Sequence, residues 1–279
     1  MRIKSRITVR FKNEDDAKYA LKILPGNNAS PFYIFNVFND TDEYRKLMDF
    51  ITHPSIASFH VIEDEVFSQS ELLSAPMLRM VPNGHRGGYP QPEAGGRDKN
   101  FLSVSYDMQS GCSHCSNGLL QNRPLRLRSN TNLGKTLDIS GIHWLREYIV
   151  SKKLKELIEL AGLTGCEFWP IVKHGTNTHF EDIFQLKITG NMPPMAAATE
   201  IVTTSKPNSL KCSCGIVSVN GSVHYHAHDL ADTPDFALTQ EWLGGNDECW
   251  RWPFMSQRAY RLFLDNNIRG IRYYPPAFI

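Results

Sequence analysis

Two close pairs of cysteines bracket a long span of this chain, Cys112 and Cys115 at its start and Cys212 and Cys214 at its end. The first pair sits in Gly111-Cys112-Ser113-His114-Cys115-Ser116-Asn117-Gly118, the second in Lys211-Cys212-Ser213-Cys214-Gly215. Each pair is followed by a glycine, so each reads as a short turn that aims its thiols at one point. Four thiolates at a point make a tetrahedral zinc site, which would tie the two ends of the span into one domain. Other readings stay open at this level. A zinc ribbon closes over about 15–20 residues, far fewer than separate these pairs. The second pair is C-x-C, a tighter chelate than C-x-x-C. Four small buried hydrophobes, the remnant of a lost site, and disulfides are the alternatives.

The chain has 279 residues, 41% of them hydrophobic, enough for one large domain or two modest ones with proper cores. The net charge of +1 and the pI near 7.7 give no electrostatic reason to expect nucleic acid or an anionic membrane as partner. A local basic patch is compatible with that balance. The segment from Met1 to Phe11 alternates charged and apolar residues and lacks the apolar run of a signal peptide. No stretch approaches the ~18 apolar residues of a transmembrane helix. Cys166 and Cys249 have no close partner in sequence. A reduced, cytoplasmic protein is the expectation.

Taken in order, residues 7–11 read as a strand, and Asn13 caps a helix with Ala17, Ala20, Leu21 and Leu24 on one face. Phe32 to Phe38 is an aromatic, β-branched strand. Asp40 with Glu43 makes a capping pair for a second helix striped by Tyr44, Leu47, Met48 and Ile51. Ser58 to Phe67 is a third strand, with Glu63, Asp64 and Glu65 in it. These elements predict a small α/β module over residues 1–80. Residues 81–100 are rich in glycine and proline, without periodicity, and read as a linker or exposed loop.

Residues 101–279 contain an internal repeat. The phrase from Ile149 to Pro170 is matched by the phrase from Phe254 to Pro275. Ser151 and Ser256 fall at the same place and are N-cap candidates. Leu154, Leu157 and Ile158 form a buried stripe, as do Ala259, Leu262 and Phe263. Gly165 and Gly270 permit the turn into a short aromatic strand that Pro170 or Pro275 terminates. The expected fold class is therefore α/β (α+β): the N-terminal module, then a mixed α+β domain of two related strand–helix–strand halves with a four-cysteine zinc site between them.

Candidate chemistry beyond the cysteines is thin. His224, His226 and His228 alternate along an expected strand from Val223 to His228. On a strand, i and i+4 stand about 13 Å apart, so all three cannot reach one ion, though two can with a ligand from elsewhere. A polar strand face is the simpler reading. His114 can replace a thiolate if Cys212 or Cys214 does not ligate. Arg126 and Arg128 share a strand face that suits either solvent or a phosphate. The chain has no P-loop, no GxGxxG after a strand, no GxSxG and no HExxH. Asp229 and Asp235, near the histidines, are the only other candidates for acid–base work. A zinc held by four thiolates has no open position and is structural, so no catalytic residue is expected.

The first motif from Cys112 to Gly118, the phrase from Ser151 to Gly165 leading to Phe168-Trp169-Pro170, the second motif Cys212-Ser213-Cys214-Gly215 and the close at Pro275 resemble the bacterial double-CxxCG-motif proteins. The likeness covers about residues 101–279. It departs from the pattern where Ser116 and Asn117 displace the first glycine to Gly118, and where the second motif is one residue short. Members of that family act as immunity proteins for polymorphic or contact-exchanged toxins. The resemblance implies a cytoplasmic inhibitor of a cognate protein toxin, held by zinc on Cys112, Cys115, Cys212 and Cys214, with neither nucleic acid nor membrane as partner. A zinc-ribbon-like nucleic-acid or protein-interaction module, and a metalloenzyme using the histidine strand, are the competing expectations.

Overall fold

The computed structural model describes the chain apart from residues 13, 14, 16, 17, 19–26, 30, 31, 53, 55, 89–98, 113, 114, 144, 177, 204–213, 215, 216, 246 and 247. The Asn13-capped helix, residues 89–98 of the 81–100 loop, His114 and Cys212 therefore lie outside the described residues. The fold is mixed α+β and mostly strand. It divides into two compact units, Met1–Leu72 and Leu73–Ile279.

In the first unit the strands are β1 (Arg2–Phe11), β2 (Asn27–Ala29), β3 (Phe32–Phe38) and β4 (Ile56–Val66), with helix α1 (Asp42–Ile51) between β3 and β4. The sheet order is β2-β3-β1-β4, antiparallel throughout. Ser5, Ile7 and Val9 of β1 are buried, and Ile7 and Val9 join Phe35, Leu47 and Ile51 in one core under α1. Period two on the strand and a helical stripe on α1 both point there. The N-cap of α1 is Thr41, whose hydroxyl accepts from the Tyr44 amide at 3.3 Å. Asp40 is not the cap; it holds the Arg2 guanidinium through two hydrogen bonds of 2.8 and 3.0 Å.

A short helix, α2 (Gln69–Ser74), spans the division between the units. The next strand, β5 (Met77–Pro82), belongs to the second unit, which corrects the expected boundaries at residues 80 and 100. Met77, Leu78 and Met80 are buried because β5 is an interior strand, paired on both edges. The strands that follow are β6 (His85–Gly88), β7 (Tyr106–Asp107), β8 (Leu120–Gln121), β9 (Arg126–Leu127), β10 (Ile139–His143) and β11 (Leu145–Ser151). Helix α3 (Lys152–Leu160) leads to β12 (Cys166–Lys173), β13 (His179–Ile188), β14 (Gly190–Asn191), β15 (Ile201–Thr203), β16 (Val217–Val219) and β17 (His224–Tyr225). Then come β18 (Phe236–Leu238), β19 (Leu243–Gly245), β20 (Glu248–Trp250), β21 (Pro253–Ser256), helix α4 (Gln257–Asp265), β22 (Ile271–Tyr274) and β23 (Ala277–Phe278).

Two larger sheets carry the body of this unit, in the orders β6-β10-β11-β13-β12-β9 and β14-β18-β21-β5-β22. In the first, α3 joins β11 to β12 across the antiparallel β13. In the second, α4 joins β21 to β22 across the antiparallel β5. At the outer end of each, a short parallel strand pairs with the next, β6 with β10 and β14 with β18. Ser151 caps α3 by accepting from the Leu154 amide at 3.2 Å, and Ser256 caps α4 by accepting from the Ala259 amide at 3.1 Å.

The contacts between these sheets are reciprocal. The Asp138 carboxylate accepts from the Arg269 amide at 3.1 Å, and the Asp235 carboxylate accepts from the Thr164 amide at 2.9 Å. Gly165 (φ 81°) and Gly270 (φ 119°) follow those amides. A Cβ on Gly165 would sit 2.1 Å from the Phe236 carbonyl oxygen, and one on Gly270 1.9 Å from that of Ile139. Both positions need glycine for its backbone and for its lack of bulk. Pro275 follows the end of β22, as its missing donor requires. Pro170 does not end β12; the strand's register shifts after it and pairing continues to Lys173.

Candidate metal centre

The hairpin of β7 and β8 presents the first cysteine turn. Within it the Ser116 amide donates to the Cys112 carbonyl at 2.8 Å, and the Cys112 amide donates to the Asn117 carbonyl at 2.8 Å. Ser116 itself takes the left-handed conformation, φ 67°, directly after Cys115, and Gly118 takes it again at φ 77°. Ser116 is therefore a serine in a conformation that glycine adopts at lower energy. Gly111 cannot carry a side chain, since a Cβ there would lie 2.4 Å from the Leu119 nitrogen.

A buried polar network anchors this hairpin. Gln185, fully buried in β13, exchanges two amide hydrogen bonds with Gln121 of β8, at 2.7 and 2.8 Å. It also donates to Glu147 at 2.9 Å, and the Tyr106 hydroxyl of β7 donates to the same carboxylate at 2.8 Å. Both strands of the hairpin are thus fixed to the middle of the six-stranded sheet. A lone glutamine in an alternating strand gives no sign of this in sequence.

Cys214 of the second motif precedes β16 in the chain; β16 pairs with β19, and β19 pairs antiparallel with β20. Cys249 of β20 is buried and closes the arrangement from the side. Its amide donates to the Cys115 carbonyl at 2.9 Å, and its thiol donates to the same oxygen at 3.3 Å. Cys112, Cys115, Cys249 and Trp242 pack as one small cluster. None of the five described cysteines is in a disulfide.

The sulfurs of Cys112, Cys115 and Cys214 all lie within 4.8 Å of one another. Zinc–sulfur bonds of about 2.3 Å at tetrahedral angles place thiolates about 3.8 Å apart, so the three sulfurs suit one ion. Soft thiolates select zinc, copper(I) or iron–sulfur clusters, and here they come from positions far apart in the chain. Three of the four sequence-predicted ligands are therefore together, close enough to bind a metal; the fourth, Cys212, lies outside the described residues. Among the described residues this is the one group of three such donors.

The histidine row does not form as expected. Strand β17 ends at Tyr225, and Ala227–Leu230 is a turn of 3-10 helix. His226 and His228 stack at 5.3 Å, while His228 faces Asp229 at 3.2 Å. Asp235 is engaged elsewhere, with Thr164, Ser256 and Arg258. Leu125 and Leu127 are buried, Arg126 of β9 is half-buried, and Arg128, just past that strand, is exposed. Cys166 stands apart from the cluster, its thiol pushed up to about 12 by burial and then by the negative charge of Asp235 and Glu159. No helix among the described residues is long and apolar enough to cross a membrane.

Compared with known proteins, the chain matches no family model and no curated sequence.

Proposed function

We propose that this chain is a stoichiometric inhibitor, an immunity protein that binds and neutralises a cognate protein toxin in the cytoplasm, and that a structural zinc holds its second unit together. The observation that carries the metal half of this reading is the meeting of Cys112, Cys115 and Cys214 from opposite ends of a long span. Cys212 completes the set in this proposal. With four thiolates the ion has no open coordination position, so it supplies folding energy and no reaction. The second unit is then a pair of related halves. Matching caps at Ser151 and Ser256 support this, as do matching glycines and the exchanged contacts of Asp138 and Asp235. The toxin half of the reading rests on the likeness of the two cysteine motifs and of the Ser151–Gly165 phrase to the double-CxxCG proteins.

Elemental analysis of protein purified without a metal-affinity tag should find one zinc per chain, lost in Cys112→Ser. Co-expression with a toxin encoded beside the gene should restore growth, and the two proteins should co-purify in equal amounts. Zinc-free protein of unchanged stability would remove the metal site. Failure to bind or neutralise any adjacent toxin would remove the immunity reading.

A further inference from the structure

The even charge of the whole chain conceals a local asymmetry in the first unit. Because Ser5, Ile7 and Val9 point into the core under α1, the alternate residues of β1 point the other way. Those residues are Arg2, Lys4, Arg6, Thr8 and Arg10, and the four cations are exposed. Their partners across the sheet are Phe38, Asn36 and Ile34 on β3, opposite Lys4, Arg6 and Thr8. Ile62 and His60 of β4 lie opposite Arg6 and Thr8. Phe32 at the start of β3 is 40% exposed and Ile62 is 50% exposed. The acidic residues on this face are few. Asp64 lies opposite Lys4, and Asp40 holds Arg2, whose guanidinium also covers the Phe38 ring at 3.9 Å. Lys4, Arg6 and Arg10 form no ion pair among the described residues.

We propose that this sheet face, open among the described residues, binds single-stranded nucleic acid, a partner beyond the toxin reading and independent of the metal. Lys4 and Arg6 stand about 7 Å apart along β1, a spacing of the order of successive phosphates in an extended strand, and Arg10 lies about 14 Å beyond Arg6, past Thr8. Exposed phenylalanine on the neighbouring strand offers a ring for a base to stack on. Basic side chains interleaved with aromatic ones on a four-stranded sheet are the general means of holding unpaired bases and their backbone together. A four-stranded sheet face suits a splayed single strand better than the grooves of a duplex. An acidic polypeptide would use the cations but not the ring.

The test is fluorescence polarisation of the full chain with a labelled oligouridylate of about 12 nucleotides. The same oligomer as a duplex and a labelled polyglutamate are run beside it. The single strand should bind, with log K falling against log salt at a slope of about −2 for three phosphate contacts. Lys4→Ala, Arg6→Ala and Arg10→Ala combined should weaken binding at least about tenfold and flatten that slope. Phe32→Ala should weaken it at least about fivefold. All four positions are exposed, so circular dichroism of the variants should match the parent. No binding of the single strand at low salt would overturn the proposal. So would equal affinity for polyglutamate or duplex, or indifference to Phe32→Ala.

Discussion

At the scale of single residues, the first cysteine turn carries a small, correctable strain. Ser116 adopts φ 67° where the resemblance would place glycine. A non-glycine residue there costs about 1 kcal/mol. Ser116→Gly should raise the urea midpoint by the equivalent of about 1 kcal/mol while leaving metal content unchanged, and Ser116→Val should lower it. A midpoint unmoved by the glycine would show that no strain is stored. Cys166 makes a pH prediction. Its thiol, pushed up to about 12 by burial, keeps its proton in the folded chain to higher pH than in the unfolded chain, where the thiol loses it near about 8.5. The stabilisation is full below the unfolded value and is lost as pH rises toward 12. Urea midpoints should therefore fall between about pH 8.5 and 11, and Cys166→Ala should shrink that fall. Tyr225 and Tyr273, also pushed up by burial, contribute equally to parent and variant.

Elements are held to one another through helix ends. Asp235, 7% exposed, accepts from the Thr164 amide, from the Ser256 hydroxyl at 2.6 Å and from Arg258 at 3.3 Å. Its counterpart Asp138 accepts from the Arg269 amide and faces the half-exposed Lys153 at 3.5 Å. The better-buried carboxylate matters more, because removing it strands the Thr164 amide and the Ser256 hydroxyl together, while Arg258 and Lys153 both stay solvated. Asp235→Ala should cost about 2–4 kcal/mol and Asp138→Ala about 1 kcal/mol, read from denaturant unfolding. Equal losses would show that burial does not set the difference. The serine caps and the glycine turns were legible in sequence because each obeys a rule spanning a few residues. The Asp138 and Asp235 contacts were not, because they join residues far apart along the chain.

For the whole molecule, the structure places the candidate metal turns in the second unit and gives the first a core of its own, Ile7, Val9, Phe35, Leu47 and Ile51. All five tryptophans follow residue 72, so their fluorescence reports on the second unit alone. Stripping metal with a chelator should lower the thermal midpoint followed by tryptophan fluorescence by several degrees. Amide exchange over residues 1–72 of the intact chain should stay as it was. A chelator that left that midpoint unmoved would leave the thiols as packing groups.

Local chemistry in the sequence determined the first cysteine turn, the Ser151 and Ser256 caps, the glycine corners and the alternation of β1, since each depends on side chains a turn or a pleat apart. Tertiary structure alone decided that Met77–Pro82 is an interior strand of the second unit and that Cys249 seals the thiol cluster. It also decided that Gln185 anchors the first turn and that Arg2, Lys4, Arg6 and Arg10 share one open face. Those outcomes depend on which distant strands pair and in what register, and period-two patterning leaves the choice of neighbour undetermined.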